Sequence, residues 1–244
     1  MKVIFKIQRF NPQEDQKASF DTYSIDVEES ARVLDALQYI SRNIDSTLAY
    51  RKSCAHGVCG SDAMRINGKE CLACKTLIKN VVQDNTIIIE PLANMDVMRD
   101  LVVNYDGALK KFRSVRPYLI PAKKAPEKEY LQSQEARENF DEASKCINCT
   151  ACYSACPIVA EQPGFLGPNA LIQAIRYIND DRDQGLEARI DVLDNPNGVW
   201  GCQQMFHCTR VCPRGIKVTK LINQTKKQIV KYRESRGEIP NKGD

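Results

Sequence analysis

The stretch CINCTACYSACP, residues 146–157, spaces four cysteines as C-x2-C-x2-C-x3-C and closes them with a proline. The chain has 244 residues and eleven cysteines, an odd number that cannot form a complete set of disulfides. Most neighbouring cysteines lie three to six positions apart, a spacing that favours metal sites over a disulfide framework. The run is therefore predicted to hold metal.

A second run repeats this register with one position changed. Cys202, Cys208 and Cys212 match the first, third and fourth cysteines of the template, and Pro213 closes the run again. Position 205, where the second cysteine is due, is Met205. The template is that of bacterial ferredoxins, in which the fourth cysteine of each run ligates the cluster of the other run.

This crossed rule predicts two different clusters. The complete set of four thiolates would hold a [4Fe–4S] cluster and consists of Cys146, Cys149, Cys152 and Cys212. Three thiolates remain for the other cluster, and these are Cys156, Cys202 and Cys208. A four-iron cubane with an unligated corner commonly loses that iron, and the thioether of Met205 is a weak iron ligand. We therefore predict [3Fe–4S] at the second site.

The first half contains a third cysteine group, RKSCAHGVCGSDAMRINGKECLACK, at residues 51–75. Cys54 and Cys59 have the C-x4-C spacing of plant-type ferredoxins, whose next ligand is due at the position of Asp62. Two ligand sets for a [2Fe–2S] cluster are open. The first consists of Cys54, Cys59, Asp62 and Cys74, and the second has Cys71 in place of Asp62. The spacing favours the first set.

Residue patterns predict a mixed α/β fold for residues 1–105. Val3, Phe5 and Ile7 alternate with other residues, as in a half-buried strand. Residues 20–27 offer a second strand. This order of elements, with the cysteine loop after a helix, fits a small β-grasp domain.

The helix and the hairpin of this domain have their own signals. Ser30 is predicted to cap the helix. The buried face of that helix would contain Val33, Leu37, Ile40 and Ile44. Asn67-Gly68 is a hairpin signal, and residues 86–91 would form the closing strand.

The second half is predicted to be helical. Residues 114–139 hold three prolines and many charges, which indicates a connector with short helices. Residues 170–179 and 220–232 show helical periodicity. We therefore expect an α+β chain of two domains, 1–105 and 106–244, the second of them all-α.

Charge and hydropathy limit the partners. Residues 209–244 contain ten Lys/Arg and three Asp/Glu, a net charge of +7 that suits anionic lipid or an acidic protein. These basic residues lack interleaved aromatics, so nucleic acid is not expected. No apolar run approaches the ~18 residues of a membrane span. Work at a membrane would therefore require another chain as an anchor.

The order of the three cluster sites in one chain resembles the iron–sulfur subunit of succinate dehydrogenase and fumarate reductase, the respiratory complex II family. The resemblance covers nearly the whole chain and includes motifs beyond the cysteines. These motifs are RKSC at 51–54, LACK at 72–75, RDLVV at 99–103, RPYL at 116–119 and FLGP at 165–168. It implies an N-terminal β-grasp domain like plant-type ferredoxin and an all-α domain like bacterial ferredoxin.

The resemblance also implies a role in electron transfer. Electrons would pass from the covalent FAD of a partner flavoprotein through [2Fe–2S], [4Fe–4S] and [3Fe–4S] to a quinone. The dicarboxylate chemistry would belong to the flavoprotein, so no catalytic residue is expected in this chain. A hydrophobic membrane-anchor subunit would hold the protein on the cytoplasmic face of the inner (cell) membrane. The resemblance is compatible with an anchor that contains haem b.

Two sets of residues follow from the family pattern. The fourth ligand of the first cluster falls on Cys74, and some members have aspartate at the place of Asp62, which leaves Cys71 as an extra thiol. The quinone-proximal places of relatives fall on Pro157, Met205 and Lys226. Ubiquinone-reducing relatives have a tryptophan shortly after the matching proline and a histidine where this chain has Gln203. The missing tryptophan favours menaquinone.

Two alternatives remain at this point. One is the iron–sulfur subunit of another quinone-linked enzyme, of the heterodisulfide-reductase or glycolate-oxidase type, which more often has two complete four-iron motifs. The other is an interaction module built on zinc, since zinc also uses C-x2-C groups. A shared register in two separated runs, each closed by proline, argues for iron–sulfur clusters.

Overall fold

The computed structural model describes residues 1–122 and 126–238. The chain divides into two compact units. The first consists of Met1–Tyr105 with Ile147–Ala155, and the second of Asp106–Cys146 with Cys156–Asp244. The shorter segment of the first unit belongs to the opening cysteine run. The predicted domain bounds, 1–105 and 106–244, stay a prediction.

Strands lie at the start of the chain and helices follow. The strands are β1 (Lys2–Arg9), β2 (Ser19–Asp26), β3 (Ala63–Ile66), β4 (Lys69–Leu72), β5 (Thr86–Glu90), β6 (Val97–Arg99) and β7 (Val102–Val103). The helices are α1 (Val33–Asn43), α2 (Ile78–Val81), α3 (Asp106–Ser114), α4 (Gln134–Ser144), α5 (Ala151–Ser154), α6 (Pro157–Glu161), α7 (Pro168–Ile178), α8 (Leu186–Leu193), α9 (His207–Val211) and α10 (Val218–Ser235), with a 3₁₀ turn at Val199–Gly201.

The first unit contains a five-stranded sheet in the order β2-β1-β5-β3-β4. β1 is antiparallel to β2 and parallel to β5, while β3 is antiparallel to both β4 and β5. Val3, Phe5 and Ile7 on β1 are fully buried and form one core with the apolar face of α1. The alternating pattern therefore predicted the buried face of this strand correctly.

The predicted start of α1 was wrong. Ser30 does not cap the helix; the N-cap is Arg32, whose backbone N–H donates to Asp35 Oδ2 at 2.8 Å. Residues 29 and 30 lie in a turn, and Arg32 itself is extended because it forms an antiparallel bridge with Leu77. At the other end, Ile44 lies beyond the helix and is 51% exposed, so it does not extend the buried face.

The Asn67-Gly68 hairpin is confirmed between β3 and β4. Both residues have positive φ, 48° for Asn67 and 74° for Gly68, as a tight two-residue hairpin requires. The Asn67 side chain also accepts a hydrogen bond from Ile88 N at 2.7 Å and donates one to Val81 O at 2.6 Å. The turn is thus tied to β5.

The described elements of the second unit are all helices. At their centre is α7, which is buried along most of its length and packs against α3, α4, α8 and α10. The predicted connector, residues 114–139, contains the end of α3 and the start of α4, and residues 123–125 in it lie outside the described part. None of the helices described is long and apolar enough to cross a membrane.

Candidate metal centres

The loop between α1 and β3 is shaped to stabilise a thiolate. Three of its residues, Ala55, Gly57 and Gly60, have positive φ, which turns successive backbone N–H groups inward. The amides of His56 and Cys59 lie 3.5 Å and 3.4 Å from Cys54 Sγ. These backbone hydrogen bonds, that of His56 first, lower the pKa of the Cys54 thiol to about 6. A thiolate at neutral pH is the form that binds iron.

Asp62 and Cys74 form a buried pair beside this loop. Asp62 is only 2% exposed, and its Oδ2 accepts a hydrogen bond from Cys74 N at 2.6 Å. Among the described residues no group donates to the other carboxylate oxygen, Oδ1, although it is buried. A buried carboxylate oxygen without a donor is costly, and a bound cation would satisfy it. The pair therefore fits an iron site.

The environment of the Cys74 thiol agrees with this fit. Burial, then the neighbouring Asp62 and then Cys54 together raise its pKa to about 12. Burial also raises the pKa of Cys71, but the groups that act on that thiol are Lys69, Thr76 and Glu70. Asp62 and Cys54 thus lie close enough to Cys74 to shift the pKa of its thiol, whereas neither of them shifts the pKa of the Cys71 thiol.

The segment 147–155 brings two further candidate ligands to the first unit. Cys149 and Cys152 lie on it, and Cys149 packs against the core of this unit. Ser154, at the end of α5, donates to Glu70 Oε1 at 2.9 Å and accepts from Ala93 N at 2.8 Å. Cys146 and Cys212 belong to the second unit, so the four-cysteine set stays a prediction.

The three remaining candidate ligands line a single pocket in the second unit. Burial raises the pKa values of Cys156 and Cys208, and both Cys202 and Cys208 act electrostatically on Cys156. Backbone N–H groups at the start of α6 oppose the shift of Cys156. The pocket is lined by Cys156, Pro157, Ile158, Phe165, Pro168, Cys202, Gln203, Gln204, Met205, Phe206, His207, Cys208, Thr219 and Ile222.

Position 205 is at the rim of this pocket. Met205 lines it and is 48% exposed, so its thioether is not a buried part of the core. Of the residues lining the pocket, only three are cysteines and none is a carboxylate. The donor set therefore fits a cluster with three thiolate ligands.

Three side chains near the pocket have contacts that the sequence did not reveal. Lys226 Nζ donates to Cys202 O at 3.0 Å and stands 5.5 Å from the ring centre of Trp200. The indole of Trp200 donates to Asp194 Oδ1 at 2.7 Å. Thr219 Oγ1 lies 3.5 Å from Cys208 Sγ. No motif marks Thr219, because its role depends on the packing of α10.

No group of three His, Cys, Asp or Glu side chains within residues 1–122 and 126–238 converges on a single metal ion. The ligands of an iron–sulfur cluster are distributed over two or more iron atoms, so they need not all meet at one point. All eleven cysteines lie in the described residues and outside disulfides. Thiolates are thus available to clusters rather than committed to bridges.

Comparisons with known proteins find two families of cluster-binding domains, in the same order along the chain as the cysteine groups. A 2Fe-2S iron-sulfur cluster binding domain matches residues 4–110, and a 4Fe-4S dicluster domain matches residues 142–216. The fumarate reductase iron-sulfur subunit of Mycobacterium tuberculosis is 37% identical over 227 residues, which cover 92% of each chain. The succinate dehydrogenase iron-sulfur subunit of Coxiella burnetii is 36% identical and covers 96% of this chain and 99% of the relative.

A solved structure is similar along the whole fold. A chain of the Mycobacterium smegmatis Sdh1 complex in the apo form has a TM-score of 0.85 and 26% identity. The match covers 96% of this chain and 97% of that chain. Sequence and backbone comparisons therefore lead to the same group of proteins.

Proposed function

The chain belongs to the iron–sulfur subunits of the succinate dehydrogenase and fumarate reductase family, and from this premise we propose that it relays electrons between the FAD of a partner flavoprotein and a membrane quinone. The observation that carries the proposal is the match of two cluster-binding domains along a chain whose cysteines fall into the family's three groups. Each cluster, once bound, accepts and releases one electron. The chain's own residues fix where the clusters lie and tune them.

For the first cluster we propose [2Fe–2S] with Cys54, Cys59, Asp62 and Cys74 as ligands. Asp62 is 2% exposed and adjoins Cys74, and its Oδ1 has no hydrogen-bond partner among the described residues, which supports this set over one with Cys71. The backbone amides around Cys54 would go on to donate to the sulfurs of a bound cluster, which raises its potential.

For the other two clusters we propose the crossed assignment. The [4Fe–4S] ligands are Cys146, Cys149, Cys152 and Cys212. The [3Fe–4S] ligands are Cys156, Cys202 and Cys208, and their common pocket supports this set. Met205, at the place of a fourth ligand, leaves the cluster one iron short.

The same proposal includes the fold type of each domain and the place of the protein at the membrane. The first domain, residues 1–105, is a β-grasp domain of the plant-type ferredoxin kind, and the second, residues 106–244, is an all-α domain of the bacterial ferredoxin kind. The five-stranded sheet with α1 across it supports the first assignment. A hydrophobic anchor subunit holds the protein on the cytoplasmic face of the membrane, in the tricarboxylic acid cycle or in fumarate respiration.

The quinone is proposed to bind near the [3Fe–4S] pocket, next to Pro157, Met205 and Lys226. Pro157 and Met205 line this pocket, and Lys226 donates to the carbonyl of Cys202. Lys226 could hydrogen-bond a quinone oxygen because an ammonium group has three donors. Menaquinone is favoured, since the tryptophan of ubiquinone-reducing relatives is missing.

The central test is metal and sulfide analysis of the full chain purified without oxygen. One cluster of each type requires about nine iron atoms per chain with a similar amount of acid-labile sulfide. EPR should give a reduced two-iron signal and an oxidised three-iron signal. Zinc without sulfide would show instead that the chain is a zinc-built module.

A matched pair of alanine variants separates the two ligand sets of the first cluster. Cys74→Ala should lose the two-iron EPR signal, while Cys71→Ala should keep it, because only Cys74 adjoins Asp62. Alanine is used because it has no donor atom, whereas a serine oxygen could bind iron as the Asp62 carboxylate does. The three-iron signal serves as the internal control in both variants. Loss of the two-iron signal in Cys71→Ala with retention in Cys74→Ala would exclude the proposed ligands.

A further inference from the structure

Gly60 lies directly against Cys149. An ideal Cβ atom built on Gly60 would stand 2.6 Å from the Cβ of Cys149 and 3.0 Å from its Cα, and real Cβ atoms essentially never come within 3.0 Å of a nonbonded atom from another part of the chain. Gly60 also has a φ of +71°, a conformation that glycine adopts without strain. Only a residue without a side chain lets the backbone after Cys59 touch Cys149 in this way.

The segment that carries Cys149 is held firmly in the first unit. Ser154 bridges the Glu70 carboxylate and the backbone N–H of Ala93. Asn94 Nδ2 donates to the carbonyl of Ser154 at 2.8 Å. Ser154 and Glu70 are both buried, so water does not compete for these bonds. The contact at Gly60 is therefore a fixed feature of a packed interior rather than a chance approach of two surface loops.

We propose that the Gly60–Cys149 contact is the junction through which electrons cross between the first and second clusters, with Gly60 as a positioning residue. The inference rests on the proposed function, in which Cys59 ligates [2Fe–2S] and Cys149 ligates [4Fe–4S]. When electrons flow toward the quinone, the two-iron cluster is oxidised by one electron and the four-iron cluster is reduced by one. No bond forms or breaks and no proton moves.

The contact provides a short route between the two sulfurs. From Cys59 Sγ the route follows covalent bonds to the Cα of Gly60, and one step between nonbonded atoms then reaches the Cβ of Cys149, which carries the second sulfur. Electron transfer slows steeply as such a gap widens. Because protein interiors are close-packed, a methyl group at position 60 must push the two segments apart.

Glycine at position 60 would also be needed if the turn alone required it, and Gly68 distinguishes the two explanations. Gly68 has a nearly equal φ of +74°, but a Cβ built on it has no atom within 4 Å. Gly68→Ala therefore introduces the strain of positive φ without a collision, whereas Gly60→Ala introduces both. The two variants form a matched pair.

The experiment is EPR power saturation of the two-iron signal in the full chain loaded with its clusters. When both clusters are reduced, the nearby paramagnetic four-iron cluster speeds relaxation of the two-iron signal, and the signal resists saturation. In Gly60→Ala we expect a weaker enhancement and slower oxidation of the two-iron cluster after rapid mixing, with unchanged iron content. Gly68→Ala should match the parent chain. Equal saturation and equal rates in Gly60→Ala and the parent chain would overturn the proposal.

A second variant covers the case in which Gly60→Ala loses a cluster. Ser154→Ala leaves Gly60 in place but removes the bridge to Glu70, so the two-iron signal should saturate more easily while both clusters remain. An unchanged saturation curve in Ser154→Ala, with the bridge removed, would count against the junction. A parent chain that lacks the two-iron or four-iron signal would instead refute the proposed function, so the two failures are distinguishable.

Discussion

At the scale of single residues, Asp62 shows how much spacing can reveal. The C-x4-C group pointed to position 62 as the place of a ligand, but it left Cys71 as a competitor. Sequence could not show that Asp62 is buried against Cys74 N with one oxygen unpartnered, since that depends on how the loop closes onto β4. The choice between Asp62 and Cys71 as a ligand therefore depends on contacts in the folded chain, which spacing does not show.

Asp62→Cys should keep the first cluster and change its reduction potential. A thiolate can replace the carboxylate at the same iron, but it is a softer donor and alters the electron density there. A redox titration followed by EPR measures the shift. Asp62→Asn is the control: its amide oxygen can still accept from Cys74 N, but it lacks the negative charge, so cluster content should fall. An unshifted potential in Asp62→Cys would remove Asp62 from the ligand set.

Met205→Cys should convert the three-iron cluster to a four-iron cluster. The new thiolate would complete the register of the second run, and the pocket already contains the other three. The oxidised three-iron EPR signal should disappear, and the potential should fall. Met205→Leu keeps an apolar side chain of similar size and should leave the signal unaltered. A persistent three-iron signal in Met205→Cys would refute the assigned register.

Lys226→Met should impair quinone reduction in the assembled complex while its clusters remain reducible by dicarboxylate. Lys226 adjoins the carbonyl of Cys202, whereas the next residue, Lys227, is exposed. Lys227→Met removes an equal charge and should leave quinone reduction intact. One steady-state assay uses a quinone as electron acceptor, and a second uses a dye that takes electrons directly from the clusters. Together they separate reduction of the clusters from reduction of the quinone. Equal quinone rates in both variants would rule out a donor role for Lys226.

At the scale of elements, periodicity located the helices and strands better than it located their ends. The alternation on β1 and the Asn67-Gly68 turn depend on local geometry, and both were predicted correctly. The start of α1 was missed because Arg32 is held extended by Leu77, a residue far along the chain. A local cap signal such as Ser30 carries no information about such a contact.

The connector after α3 is stabilised by a buried ion pair that no pattern revealed. Arg189 on α8 pairs with Asp183 at 2.7 Å, and both side chains are 0% exposed. The guanidinium also donates to the carbonyls of Arg116 and Tyr118, and Asp183 accepts from Ile120 N. The backbone carbonyls of Arg116 and Tyr118 thus anchor the motif RPYL at 116–119.

Arg189→Met should destabilise the chain by about 3–5 kcal/mol, because it leaves the Asp183 carboxylate buried without its counter-charge. Arg236→Met is the matched control, since Arg236 pairs with Glu187 on the surface and such pairs contribute little. Urea unfolding followed by circular dichroism measures both. Equal midpoints for the two variants would contradict the assignment of Arg189 as a structural clamp.

At the scale of the whole molecule, the cysteine order predicted the family, and the compact units add a feature that no local pattern contains. Residues 147–155 belong to the first unit although they lie far beyond residue 105. The reason is physical: Ser154 bonds to Glu70, and Cys149 packs against Gly60, contacts of long sequence separation that no local pattern contains. The proposed crossed ligand sets would likewise join cysteines that lie far apart in the sequence.

The assembled complex should contain menaquinone as its bound quinone. The family resemblance implies a histidine at the place of Gln203 in members that reduce ubiquinone, and an imidazole can take up and release a proton near neutral pH. The Gln203 amide in the pocket cannot do so, and the tryptophan that follows the matching proline is also absent. Solvent extraction of the purified complex and chromatography of the extract identify the quinone directly, with the lipid-stripped complex as the blank. Ubiquinone as the only bound species would refute this specificity, because the pocket would then bind it without either group.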